Sequence, residues 1–417
     1  MSGEESRPSD GTAARGDVAE PARGSVDKPP ADAPEPERRE PPGAAWLPDV
    51  VTTLLAIVLA LLVGAVLVAL SDEDAVASLS YVFSYPADFF SYAGEAVWES
   101  YSSLVTGSVG SLGAIGTTLV RAAPLICAGL GVTLAFRAGL FNIGAQGQLV
   151  VGSLTAGYVG FTWDLPPGIH LLAAILAGMI GGAIWGGIAG VLKARTGAHE
   201  VITTIMLNYL ATSFLLNYLL SKDAFQRAGS DNSQSPPPAD SAMYPGFGNI
   251  HLGVFVAVAA AIVVWWLIER STFGFELRAV GANPAAARTA GMSVERVYTL
   301  AMVGAGMLAG LAATMNLLGK GDSLSSGVAG SIGFDAITVA LLGRASPLGT
   351  VFAGLLFGAL SVGGTAMQAS AGTPKELGDV LQALIVLFVA APALVRGFFR
   401  MRTAGGGSTV MAKGWGS

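Results

Sequence analysis

Stretches of about twenty residues with scarcely a charged side chain recur from residue 50 to residue 395, and they decide most of what this chain can become. A bilayer core is crossed by roughly 20 apolar helical residues, because lipid offers no partner for backbone N–H and C=O groups. Ten such runs stand out: 50–70, 112–135, 145–163, 171–192, 201–220, 252–268, 297–318, 332–342, 348–367 and 377–395, the eighth shorter than the rest. Charged residues are 12% of the chain, about half the share usual in soluble domains. The 56 glycines suit helices that pack closely inside a membrane. The expected fold is all-α and integral to the membrane, with about ten transmembrane helices.

Basic residues give the orientation, since cytoplasmic loops carry an excess of Lys and Arg. With ten spans and the N-terminus inside, inner loops and the start of the C-terminal tail hold eleven, from Arg137 to Arg402. Outer loops hold four: Lys222, Arg227, Lys320 and Lys375. Both termini are therefore expected in the cytoplasm, flanking a transmembrane domain over 46–400. Residues 1–45 are rich in Pro, Ala, Gly, Glu and Arg and lack the apolar surface to offset ordering entropy, which predicts a disordered cytoplasmic tail. Residues 401–417, Gly-rich toward their end, read as a flexible cytoplasmic tail. Residues 71–110 carry many aromatic side chains and only acidic charge, which suits an interfacial element on the outer face.

Residues 269–296 are a polar interruption between two strong apolar runs and hold Arg270, Arg278, Arg288 and Arg296. The positive-inside rule keeps this loop in the cytoplasm. Asn283 is a suitable N-cap, Pro284 suits a first helical turn, and Ala285, Ala286, Ala287 and Arg288 are good helix formers. Gly291 stops such a helix. A short helix of about two turns on the cytoplasmic face follows.

Other stretches place polar groups beside or within the spans. Residues 136–149, FRAGLFNIGAQGQL, hold three glycines with Asn142, Gln146 and Gln148. A broken helix at membrane depth lines a cavity or is buried in protein. Uncharged amides beside free backbone groups suit a neutral polyhydroxylated or heterocyclic solute. The same residues also make an ordinary turn whose amides cap helix ends. Thr204 and Asn208, four apart, share a helix face that either lines a path or binds neighbouring helices. Asp335 near the start of the eighth span is either a functional group or a helix cap.

Several chemistries are absent. No G-x-x-x-x-G-K-[ST] and no H-E-x-x-H occurs, His170, His199 and His251 are far apart, and Cys127 lies alone in an apolar run. The chain is thus expected to be no enzyme, to hold no cofactor or metal of its own and to bind no nucleic acid. Few acids lie deep in the spans, which weighs against an ion-coupled secondary carrier. A pore driven by a partner remains, with that carrier as the rival class. A membrane-embedded enzyme acting on lipid would need Asn142, Asn208 and Asp335 to converge.

The stretches 137–148 (RAGLFNIGAQGQ), 200–209 (EVITTIMLNY), 274–297 (GFELRAVGANPAAARTAGMSVERV) and 343–358 (GRASPLGTVFAGLLFG) resemble the permease subunits of bacterial ABC importers of the branched-chain amino acid and monosaccharide type. The first two stretches tilt the resemblance to the nucleoside branch, linked to basic-membrane-protein lipoproteins; a monosaccharide permease is the alternative. The resemblance covers roughly 110–395 and implies a plasma-membrane permease working by alternating access. It implies a second permease subunit in a heterodimer, an ATP-binding subunit with two nucleotide-binding modules, and an extracytoplasmic solute-binding lipoprotein. Carried onto this chain, Gly281, Asn283, Pro284, Ala286, Ala287, Arg288 and Gly291 form the ATPase-coupling element. Asn142 and Gln148 flank the solute route. Many relatives have Glu where this chain has Gln146, a departure that a neutral solute tolerates.

Overall fold

The computed structural model describes residues 47–229 and 232–399. The two tail expectations, 1–45 and 401–417, lie outside the described residues. The chain divides into two compact units at Pro48, and the first contributes only Leu47 and Pro48 to the described part.

Helix α1 (Leu47–Ser71) leads through the short α2 (Glu73–Ser78) to α3 (Pro86–Val109), then α4 (Leu112–Arg137), α5 (Ala145–Thr162) and α6 (Ile169–Thr196). Helix α7 (Glu200–Tyr209) runs on through a π-helical Leu210–Leu216 into α8 (Asn217–Leu220). A two-stranded antiparallel ribbon follows, β1 (Gly246–Phe247) with β2 (Ile250–His251), Gly246 opposite His251. Then come α9 (Gly253–Arg270), α10 (Thr272–Ala282), α11 (Pro284–Thr289) and α12 (Val294–Leu318). The last four are α13 (Ile332–Leu342), α14 (Pro347–Ala371), α15 (Lys375–Ala390) and α16 (Pro392–Phe398).

Among the described residues seven helices are long and apolar enough to cross a membrane, or eight if α15 and α16 count as one. The other elements of the expected ten differ for physical reasons. Helix α5 has 18 residues but opens with Gln146 and Gln148, which lower its hydropathy. Helix α13 has 11 residues, a length of about 16 Å against a hydrocarbon core of about 30 Å. The expected tenth span bends by 89° between α15 and α16. Pro392 has no N–H to donate, and it holds the preceding Ala391 out of the helical region at φ −115°, ψ 68°.

The aromatic stretch 71–110 is mostly helix. Pro86 opens α3 and Asp88 lies in its first turn. Tyr101 donates to the Leu61 carbonyl at 2.6 Å, joining α3 to α1. Ser100 and Thr373 share a hydrogen bond of 2.7 Å, joining α3 to the end of α14.

Helix α6 shows the inverse of a soluble helix. Leu172, Leu176, Ile180 and Ile184 form an exposed stripe, while Gly178, Gly182, Gly186 and Gly190 face inward. A Cβ on Gly182 would overlap the Gly306 carbonyl of α12, and one on Gly310 would overlap that of Gly178. Small residues let the two backbones touch, and the large apolar side chains face lipid. Of the small residues in α12, Ala305, Gly306, Ala309 and Gly310 are buried, whereas Gly304 sits against Leu134 of α4.

Candidate functional site

The Arg-rich interruption folds as two helices where one was expected. Ser271 caps α10 by accepting the Gly274 N–H at 2.9 Å. Asn283 ends α10 and caps α11, its Oδ1 accepting the Ala286 N–H at 3.0 Å. Pro284 is the first residue of α11, and Gly291 (φ 85°) takes the left-handed turn after it. Ala287 is buried, whereas Pro284, Ala286 and Arg288 are exposed, and Arg288 pairs with Glu295 at 2.9 Å. The base of the hairpin is seated on α4. A Cβ on Gly281 would overlap the Arg137 carbonyl, and Gly139 (φ 75°) approaches Gly281 so closely that an added Cβ would lie 3.3 Å from its Cα.

Arg137 is therefore a junction. Its backbone meets the hairpin, and its Nε donates to the Ala345 carbonyl at 2.7 Å, in the turn between α13 and α14. Arg344 and Ala345 both hold left-handed backbone, φ 53° and 48°, at roughly 1–2 kcal/mol per non-glycine residue.

Beyond Arg137 the chain breaks before α5, and four of the expected amides gather there. Asn142 and Gln148 pair their amides at 3.2 and 3.4 Å, and Asn142 also accepts the Gly144 N–H at 2.9 Å. Asn208 accepts the Gly147 N–H at 2.8 Å and donates to the Ile143 carbonyl at 2.9 Å. It caps α5 from another helix, where the flanking Gly144 has no side chain to do so. Gln146 serves α13 in the same way. Its Oε1 accepts the Gly333 N–H at 2.9 Å and its Nε2 donates to the Gly330 carbonyl at 2.8 Å. Thr204 is buried against Gly144, its hydroxyl donating to the Glu200 carbonyl at 2.7 Å.

A cavity of about 970 Å³ lies elsewhere, between α4, the end of α12, α13, α14 and α15. Of the six side chains expected along a solute path, Asp335 lines it, held by the Ser331 hydroxyl at 2.7 Å. Gln146 reaches its wall through Gly330, and Asn142, Gln148, Thr204 and Asn208 do not line it. Arg121, Lys320, Asp379 and Gln382 do. Lys320 donates to Asn316 at 2.8 Å, and burial, with Arg121 adding like charge, holds its ammonium below the ordinary value. Asp379 and Gln382 were legible only as an i, i+3 polar pair in an apolar run. Among the described residues no group of three or more His, Cys, Asp or Glu could hold a metal ion.

A bundle with a lipid-facing apolar surface, internally capped short helices, a polar cavity and an Arg-rich hairpin is a multi-pass membrane permease. The chain belongs to the family described as branched-chain amino acid transport system / permease component, which matches residues 114–390. It is 40% identical over 308 residues to the guanosine ABC transporter permease protein NupP of Bacillus subtilis, covering 73% of this chain and 88% of that one. The nucleoside ABC transporter permease protein NupB of Lactococcus lactis is 34% identical over 310 residues, 72% and 85% of the two chains. The glucose ABC transporter permease protein TsgB13 of Haloferax volcanii is 36% identical over 305 residues, 70% and 80%. No solved structure matches. The chain is thus the membrane subunit of an ABC transporter of the plasma membrane. It works with an ATP-binding subunit, where ATP hydrolysis resides, and with a solute-binding protein.

Proposed function

We propose that this permease imports nucleosides by alternating access, in a heterodimer with a second permease subunit. An ATPase with two nucleotide-binding modules acts on it from the cytoplasm, and a lipoprotein delivers the solute outside. The observation that carries the mechanism is the seat of Gly281 on the Arg137 carbonyl. A push on α11 reaches the end of α4 through that backbone contact, and the α13–α14 turn through Arg137 Nε. Asn283, Pro284, Ala286 and Arg288 offer the exposed docking face, and Ala287 and Gly291 hold its shape. The amides of Asn142, Gln146, Gln148 and Asn208, with Thr204, brace the moving helix ends rather than touch the solute throughout the cycle, and Asp335 faces it. The names of NupP and NupB support nucleosides; that of TsgB13 supports glucose as the second reading.

The test is uptake by the complete transporter in proteoliposomes. Labelled guanosine should enter only with ATP and the binding protein, and an ionophore should not matter. Uptake without ATP overturns the mechanism, and uptake of glucose with none of guanosine overturns the substrate. Ala286→Glu, on the exposed face of α11, should bury an unpaired carboxylate against the docked ATPase and lower uptake at least about tenfold, while the protein still reaches the membrane.

A further inference from the structure

The cavity gives the proposed substrate a chemical address. The formal charge of its lining sums to zero, Arg121 and Lys320 against Asp335 and Asp379, so an uncharged guest adds no net charge to it. Lys320 is committed to Asn316 and Asp335 to Ser331. Arg121, Asp379 and Gln382 make no hydrogen bond or ion pair among the described residues. A backbone acceptor joins them. Pro124 lies inside α4 and has no N–H, so the carbonyl of Val120 loses its helical donor where Val120 lines the cavity. The cavity takes residues 120–125 of α4 and 332–338 of α13, short of the Arg137–Ala345 contact and the hairpin at the ends of those helices, and runs along α15 from Gly378 to Ala390.

Resting on the nucleoside reading, we propose that Asp379 and Gln382 receive the vicinal hydroxyls of a ribose in this cavity, with Arg121 and the Val120 carbonyl facing the base. The two residues are three apart on α15, hence neighbours on one face. A carboxylate accepts two hydroxyl protons, and the adjacent amide both donates and accepts. The pair is uncommitted and faces open space, which a diol fills without bringing charge. A nucleotide would bring a phosphate dianion to a lining whose own charges already sum to zero.

Thiol protection in the assembled transporter tests this without the binding protein's own selectivity. Cys127 is buried, so Ser361→Cys on the cavity wall supplies the reactive thiol, and Thr365→Cys, a turn away, serves if the first fails to assemble. Guanosine should slow maleimide labelling. A 2′,3′-dideoxynucleoside should need at least about tenfold higher concentration, the loss expected for hydrogen bonds to a charged group, and guanosine monophosphate, which keeps the diol but adds a dianion, should also protect less well. Asp379→Asn should remove the difference between the ribonucleoside and its dideoxy form. Protection by glucose alone refutes the nucleoside reading and upholds the diol pair. Labelling indifferent to every solute, or ribose selectivity undiminished in Asp379→Asn, refutes the site.

Discussion

Asn208 does for α5 what the chain beside α5 cannot. Its two hydrogen bonds, to the Gly147 N–H and the Ile143 carbonyl, occupy both ends of one amide. Asn208→Ala leaves two backbone groups unpaired away from water and should cost about 1–3 kcal/mol for each, read as a lower melting temperature of the purified protein. Asn208→Asp keeps the acceptor and should fall between. Unchanged melting in Asn208→Ala would mean that water or another group caps α5. The sequence showed Thr204 and Asn208 on one face, yet Asn208 bonds backbone some sixty residues earlier and Thr204 packs on Gly144 there, and spacing along a helix says nothing of partners on another. His251 supports a second expectation. Its Nδ1 accepts the Gly253 N–H at 3.1 Å, so its proton sits on Nε2, and a second proton would break that bond. Burial, with Lys320 adding repulsion, holds the imidazole below its ordinary 6.5. The unfolded chain binds that proton more readily, so stability is lost as pH falls through 6.5 toward the folded value. Melting should be lower near about pH 5.5 than near about pH 7.5, and His251→Asn should flatten the difference. An equally steep profile in the variant would assign the titration to another group.

Helix α13 is gripped at both ends, by Gln146 at its start and by Arg137 through the Ala345 carbonyl just past its end. The left-handed pair Arg344 and Ala345 holds backbone strain in the turn that this contact reaches. In Arg137→Gln the shorter side chain falls short of the carbonyl. The complex should assemble and hydrolyse ATP, while uptake drops at least about tenfold, as expected when a charge-assisted hydrogen bond is lost. Normal uptake in that variant would show the contact to be idle. Sequence reading counted Arg137 only as a positive-inside charge, because its acceptor is 208 residues away. Helix α13 fills the approximate span expected at 332–342, with Ser331 before it, Gly343 after it and Asp335 in its first turn. The bend after α15 was missed because hydropathy averages over Pro392.

At the scale of the molecule, α6 turns its glycines inward and its large side chains out, so lipid is the solvent its surface is built for. The same pattern made the fold class readable, while the crossing number stayed uncertain because α5 and α13 are apolar but polar-tipped or short. Orientation has a direct check. Arg288→Cys on the hairpin should react with an impermeant maleimide only from the cytoplasmic side, and Gln382→Cys at the cavity only from outside. Labelling of both from one side would place cavity and hairpin on the same face. The bend at Pro392 bears on how such a molecule moves. At 89° to α15, helix α16 lies flat in the headgroup layer when α15 crosses the bilayer, with Leu394 and Phe398 exposed to sink into it. So footed, α15 has its depth fixed: it can tilt about its inner end, but plunging like a piston would drag that foot through the interface.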